Sequence, residues 1–131
     1  MPIRISNLHL VAAICLVGPQ VLYADESRTV IETERRAESL RQYIYALDGE
    51  IDSLVEEMVK LVPRAEADSR RRDLYDWRIR RSRDCQAKTE PVADPLAELE
   101  CESAEAEMYY DARRSEHDKL PGAEVDHGVY P

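Results

Sequence analysis

Residues 37–61 read AESLRQYIYALDGEIDSLVEEMVKL, and their apolar side chains recur at alternating steps of three and four residues. This heptad spacing is typical of a helix that packs along another helix. The pattern reaches upstream to Val30 and stops before Pro63, so it predicts one long helix over residues 27–62, with Gly49 as a weak point. We name the apolar positions the heptad seam: Val30, Ala37, Leu40, Ile44, Leu47, Ile51, Leu54, Met58 and Leu61.

A seam this regular needs a partner helix. Connections in small helical proteins are short, which favours an antiparallel neighbour from the same chain and therefore a monomer. The alternative is a second copy of the chain, which would form a homodimer through residues 37–61.

Charge divides the following residues into a basic and an acidic segment. Residues 64–88 predict a second helix, and the part from 70 to 84 holds seven arginines and three aspartates. Residues 94–118 hold nine acidic residues and two arginines, in the predicted third helix. Antiparallel docking of the two helices would set arginines against carboxylates, so we interpret the basic face as paired rather than as a nucleic-acid site. The net charge of −9 also argues against binding nucleic acid or an anionic membrane, and it favours a basic partner.

One side of the predicted second helix carries Trp77, the only tryptophan of the chain. Arg81 and Cys85 share its stripe, which predicts a core position for Trp77 against the first helix. Arg81 is expected to reach a carboxylate on the third helix, Glu98 or Glu102. The alternative makes Trp77 and the arginines an exposed binding surface. The full stripe is Ala65, Ala67, Leu74, Trp77, Arg81 and Cys85.

A loop with two prolines, TEPVADP at residues 89–95, separates the second and third helices. Asp94 is expected to cap the third helix, with Pro95 at its first position and Glu98 in its first turn. The third helix is predicted to end near Lys119.

The first 24 residues have the organisation of a secretory signal. Arg4 precedes the apolar run Leu8 to Val17, and no acidic residue occurs before the predicted cleavage after Ala24. The alternative is an anchor that is not cleaved. Cys15 lies inside the apolar run and is interpreted as part of the signal rather than as a lipidation site. The mature protein is therefore predicted to be periplasmic or secreted, with no membrane attachment.

Cleavage would leave Cys85 and Cys101 as the only cysteines, in an oxidising compartment. They are predicted to form an intramolecular disulfide at the closed end of a hairpin of the second and third helices. Histidines are scattered and no C-x-x-C occurs, so we expect no metal site, no redox centre and no cofactor. The predicted fold is all-α: a small elongated three-helix bundle or helical hairpin with a long first helix. Residues 25–119 form this domain, and residues 120–131 are predicted to be a disordered tail.

Trp77, Arg81, Cys85 and the later LAELEC that ends at Cys101, together with LRQY at residues 40–43, carry a family resemblance. The chain resembles the lysozyme inhibitor LprI-type domain family of exported bacterial proteins over roughly residues 37–119. The resemblance implies an exported, disulfide-bonded helical bundle and, less directly, inhibition of lysozyme.

The sequence leaves three classes of function open. The first is a binding protein of the cell envelope that inhibits lysozyme or a similar cationic hydrolase, steered by its acidic surface. The best candidate for its contact is the loop TEPVADPLAE, with Glu90, Asp94 and Glu98 as possible partner-binding residues. The second is a structural coiled-coil spacer or assembly protein. An enzyme comes last, since the sequence has no Ser-His-Asp set, no phosphate-binding glycine loop and no ligand cluster, so no catalytic residue is proposed.

Overall fold

The computed structural model of the protein describes the backbone of residues 9–123 and the side chains of residues 25–123. Three helices account for nearly all of this part of the chain: α1 at His9–Lys60, α2 at Arg64–Lys88 and α3 at Pro95–His117. No strand occurs in residues 9–123, which confirms the all-α prediction. None of these helices, where the structure describes them, combines the length and the apolar composition that a membrane span requires.

The first helix begins far upstream of its predicted start. It was expected from residue 27, whereas α1 already starts at His9. The sequence VLYADES at residues 21–27 contains neither glycine nor proline, so nothing in it interrupts a helix that arrives from the leader. Whether the first 24 residues are removed stays a prediction.

The chain divides into two packing units. The first ends at Arg36, and its described side chains, residues 25–36, are all exposed. Val30 belongs to this unit and is 56% exposed, so its predicted place in the buried seam is wrong. The second unit begins at Ala37 and contains the rest of α1 together with α2, α3 and the hydrophobic core.

Within the second unit the three helices run up, down and up. Arg71 of α2 contacts Glu56 of α1, and Arg81 contacts Asp48, so residue numbers rise in α2 as they fall in α1. The disulfide joins the C-terminal end of α2 to the N-terminal part of α3, which makes that pair antiparallel as well. Short turns at 61–63 and 89–94 make these reversals, as expected for a small bundle.

The heptad seam lies in the core from Ala37 to Met58, although Leu40 and Leu61 are only half-buried. Val55 and Val59 are also buried, and the heptad pattern did not include them. A strict heptad stripe fits one neighbouring helix, whereas α1 faces two, so its buried face must be wider. The core cluster consists of Leu47, Ile51, Val55, Val59, Ala67, Leu74, Trp77 and Ala106.

The chain turns again after α3. Residues 120–123 form a turn in which the Ala123 amide donates to the Leu120 carbonyl. Gly122 has φ of +84°, a conformation that favours glycine, and a Cβ there would lie 3.7 Å from Cδ2 of Leu61. The prediction of disorder therefore does not hold for residues 120–123, the first part of the predicted tail. Its remaining residues, 124–131, lie outside the described part of the chain.

Candidate functional site

The predicted disulfide is present. Cys85 and Cys101 are joined with their Cα atoms 5.6 Å apart, at the closed end of the α2–α3 hairpin. Cys85 is fully buried, whereas Cys101 is half-buried and has the Lys88 ammonium 3.8 Å from its sulfur. The bridge joins the two helices on either side of the loop. The ends of the loop are therefore held together by a covalent bond.

Asp94 holds the start of α3. Its Oδ1 accepts hydrogen bonds from the amides of Leu96 and Ala97, both at 3.2 Å, and Pro95 occupies the first turn of the helix. This is the N-cap that the sequence predicts, and it satisfies amides that have no partner within the helix. The Asp94 carboxylate therefore has a structural task, although its side chain is exposed.

The other two predicted partner-binding residues lie together. Glu90 and Glu98 line a shallow cleft of about 420 Å³ on the outer side of the loop. Glu90 is exposed and Glu98 is half-buried. Val92 lies at the tip of the loop and is 76% exposed. The loop thus offers one apolar side chain between carboxylates. The cleft is completed by Gln86, Thr89, Pro91 and Ala93.

Arg81 has the predicted contact with α3, through Glu102, and also a closer pair with α1 that the sequence did not indicate. Its Nη1 and Nη2 donate to the two oxygens of Asp48 on α1 at 2.7 and 2.9 Å. Glu102 of α3 is 4.0 Å from Arg81 Nε, and the predicted Glu98 does not contact it. Burial lowers the pKa of Arg81, but the hydrogen bonds and charge of Asp48 outweigh it and hold that pKa above its ordinary value. The pair is bidentate and largely buried, and it ties α2 to α1.

Trp77 is buried in the core cluster, so it is not part of an exposed binding surface. Its ring stacks on Tyr109 of α3 with centroids 4.0 Å apart and an interplanar angle of 19°. The guanidinium carbon of Arg81 lies 4.8 Å from the Trp77 ring centroid. The sequence analysis expected Trp77 to pack on α1, and the structure places it between α1 residues of the cluster and Tyr109 of α3.

Tyr109 connects this stack to the charged surface. Its hydroxyl donates to Asp73 at 3.0 Å, and Arg113 lies over its ring at 4.8 Å and donates to the same carboxylate. Burial, followed by the hydrogen bond to Asp73, raises the pKa of Tyr109 to about 12. A neutral hydroxyl is therefore favoured by folding.

We expect Tyr109 to ionise well above the ordinary pH of a tyrosine. Because its pKa rises from 10.0 in the unfolded chain to about 12 in the folded one, its contribution to stability is complete below pH 10 and is lost as the pH rises through 12. Ultraviolet titration of tyrosine ionisation checks this: Tyr109→Phe should remove an ionisation near pH 12 that the wild type shows. A wild-type titration that finishes near pH 10, as in the urea-unfolded control, would contradict it.

The arginine-rich face of α2 is paired with carboxylates. Arg70 contacts Glu66 and Glu116, with its Nη1 3.0 Å from Glu116 of α3. Arg71 reaches Glu56 of α1 at 3.0 Å, and Arg78 reaches Asp52 of α1 at 2.9 Å. These pairs agree with the interpretation of α2 as a basic helix set between acidic neighbours. They also leave less positive charge for an external polyanion.

A cavity of about 300 Å³ lies between α2 and α3 beneath some of these pairs. Its floor is formed by the buried Val55 and Met58 of α1, and Tyr109 forms one wall. Charged side chains of both signs surround its mouth, so it has no clear preference for an anion or a cation. They are Glu66, Arg70, Asp73 and Arg113.

A second groove, about 370 Å³ in volume, runs between α1 and α3; we name it the α1–α3 groove. Glu50, which lines the groove, lies near Tyr43, and Tyr43 donates a hydrogen bond to Glu107 of α3 at 2.8 Å. This groove was not predicted from the sequence. The signal was the spacing of Tyr43, Glu50 and Glu57, which follow one another at seven-residue intervals beside the heptad seam. The groove is lined by Ala46, Gly49, Glu50, Ser53, Leu54, Glu57, Tyr110 and Arg114.

Among the side chains that the structure describes, no group of three or more histidine, cysteine or acidic residues is arranged to hold a metal ion. No protein-family model, no curated protein and no solved structure matches the chain.

Proposed function

We propose that the protein is an exported cell-envelope protein that binds a basic protein, such as lysozyme or a similar cationic hydrolase, and blocks its activity. The predicted leader at residues 1–24 and the resemblance to LprI-type domains support export and this class of partner. The observation that carries the proposal is the way charge is distributed over the second packing unit.

Charge is balanced along α2 and unbalanced at the loop that follows it. The α2 arginines hold Asp48, Asp52 and Glu56 of α1 in ion pairs. In contrast, no cation among the described residues lies within 4 Å of the carboxylates of Glu90 in the loop or Glu98 in the first turn of α3. An acidic surface without internal cations attracts a basic partner and raises its rate of association at low salt.

The disulfide-closed loop supplies the contact in this proposal. Val92 in the loop is 76% exposed, and Glu90 and Glu98 line the neighbouring cleft together with Pro91 and Ala93 of the loop. A loop held at both ends loses less conformational freedom when it binds, which favours affinity. Asp94 contributes mainly by holding the start of α3, because its carboxylate is already used by two amides.

Inhibition of lysozyme by the purified mature protein tests this function. We expect inhibition that weakens as salt rises from about 0.05 M to about 0.5 M, because screening shortens the range of the acidic surface to a few ångströms. Glu90→Gln/Glu98→Gln should weaken inhibition further, whereas Glu32→Gln/Glu34→Gln, with the same change of charge on exposed residues of α1, should have little effect. No inhibition at any salt concentration would refute the proposal.

The predicted alternative is a spacer that dimerises through residues 37–61. This pairing is less favoured by the structure, because Ile51 and Met58 of the seam are fully buried within one chain. A dimer through that face would have to displace α2 or α3. Mass measurement in solution distinguishes the two functions, since a coiled-coil spacer has to self-associate.

A further inference from the structure

We infer that the α1–α3 groove is a docking site for a lysine- or arginine-bearing segment of the partner protein. The inference rests on the proposed function. It assigns positive charge to the segment of the partner that binds, and it places the partner's contact on the groove as well as on the loop. It is carried by three features of the groove: its shape, its unbalanced carboxylates and its tyrosines.

The shape comes from small residues on α1. Ala46, Gly49 and Ser53 line the groove, with Leu54 below them and Tyr110 of α3 at its side. A Cβ built at Gly49 would meet no atom within 4 Å, so the space above this residue is open. An extended side chain from a partner can therefore lie against the backbone of α1.

The charge comes from both helices. Among the described side chains, no cation lies within 4 Å of Glu50 on α1 or of Glu107 and Asp111 on α3. Glu57 has only the histidine ring of His117 near it, at 3.7 Å. The one arginine of the groove, Arg114, has its Nε 3.6 Å from Asp118. The groove, together with the Tyr43–Glu107 contact beside it, therefore carries more carboxylates than cations, unlike the α1–α2 side, where arginines match the carboxylates.

The tyrosine rings add an aromatic surface that a cation can contact. Tyr43 is 45% exposed, and its hydroxyl is held by Glu107, which fixes the orientation of the ring. The hydrogen bond to Glu107, followed by burial and by the charges of Glu107, Glu50 and Asp111, raises the pKa of Tyr43. Its hydroxyl therefore stays protonated at neutral pH. A neutral tyrosine ring beside carboxylates is a favourable place for an ammonium or guanidinium group.

Charge complementarity selects this occupant over others. An anionic ligand or a nucleic-acid phosphate would be repelled by the carboxylates. A second copy of the chain, with a net charge of −9, would be repelled in the same way.

The groove and the loop are close to each other along α3. Cys101, at the closed end of the hairpin, precedes Glu107 by six residues on α3, and this spacing corresponds to about 9 Å along the helix. A globular partner covers distances of this order in a standard interface.

Binding of a fluorescently labelled octalysine peptide tests the site directly, with an octaglutamate peptide as the negative probe. The groove variant is Glu50→Gln/Glu107→Gln/Asp111→Asn. The matched control is Glu32→Gln/Glu34→Gln/Asp76→Asn, which makes the same change of net charge on exposed residues outside the groove. Far-UV dichroism verifies that both variants are folded.

We expect the groove variant to lose about tenfold in affinity for octalysine and the control variant less than about threefold. Equal losses in both variants would mean that only net charge matters, and unchanged binding by the groove variant would mean that the peptide lies elsewhere; either result overturns the inference.

The same variants measured against lysozyme separate this inference from the proposed function. If wild-type protein binds octalysine through the groove but does not bind lysozyme, the proposed function fails and the cation site stands. If lysozyme binding is lost in Glu90→Gln/Glu98→Gln but kept in the groove variant, the function stands and the groove is not its docking site.

Discussion

Replacing Arg81 by methionine is expected to lower the free energy of unfolding by about 3 kcal/mol, because it leaves the half-buried Asp48 carboxylate without its cation. The Arg81 side chain is 8% exposed and makes two hydrogen bonds to Asp48, so water cannot replace it well. Methionine keeps much of the volume of the side chain, which limits the effect to the loss of charge and of the contact with Trp77. Urea unfolding followed by dichroism measures the change.

Arg71→Met is the matched control. It also removes an ion pair between α2 and α1, but the Arg71 side chain is 50% exposed, so the stability should stay near that of the wild type. The double variant Arg81→Met/Asp48→Met should recover part of the loss, because Asp48 no longer remains as an unpaired charge, while Glu102, which is 17% exposed, still lacks its contact with Arg81. Equal effects of the two arginine substitutions would show that burial of the Arg81–Asp48 pair is not what makes it important.

Replacing both cysteines by alanine is expected to destabilise the protein by about 3 kcal/mol. The bridge closes a loop of sequence separation 16, and in the chain-entropy model a loop of this size contributes that amount by restricting the unfolded chain. The loss should appear as a lower Tm under non-reducing conditions. Hydrogen exchange should rise more at residues 89–95 than in the core of α1, since the loop depends directly on the bridge.

Two checks accompany this experiment. Adding a reductant to the wild type should lower its Tm towards that of the variant and should leave the variant unchanged. Thiol titration of the unfolded, non-reduced mature protein should find no reactive thiol, whereas two per chain would refute the bridge in solution. A disulfide-linked dimer on a non-reducing gel would move the bond between chains.

Most of the helical framework could be predicted, because its signals are local. The end of α1 follows from Pro63 and the start of α3 follows from the Asp94 cap and Pro95. The disulfide could be predicted by counting cysteines, once the leader was set aside. Val55 and Val59 were missed because the heptad template assumes one neighbour, and α1 has two in this bundle.

The partners of individual side chains could not be predicted in the same way. The sequence places Arg81 on the buried face of α2 but does not tell which neighbouring helix lies beside it. Asp48 on α1 is its partner because of how the three helices are arranged around one another. This arrangement is set by tertiary packing. The α1–α3 groove was missed for the same reason: Tyr43 and Glu50 flank the seam, and only the position of α3 turns that flank into a groove.

Selection for stability and selection for partner binding would favour different residues at position 49 of α1. In the interior of α1 a glycine is less stabilising than an alanine by roughly 0.5–1 kcal/mol, and an alanine at this position would meet nothing within 4 Å. Selection for heat resistance alone should therefore favour alanine at residue 49. Selection for binding of a cationic partner should favour glycine, which leaves the floor of the groove open. A library of variants at this single position, sorted once by each criterion, would reveal which demand has shaped α1.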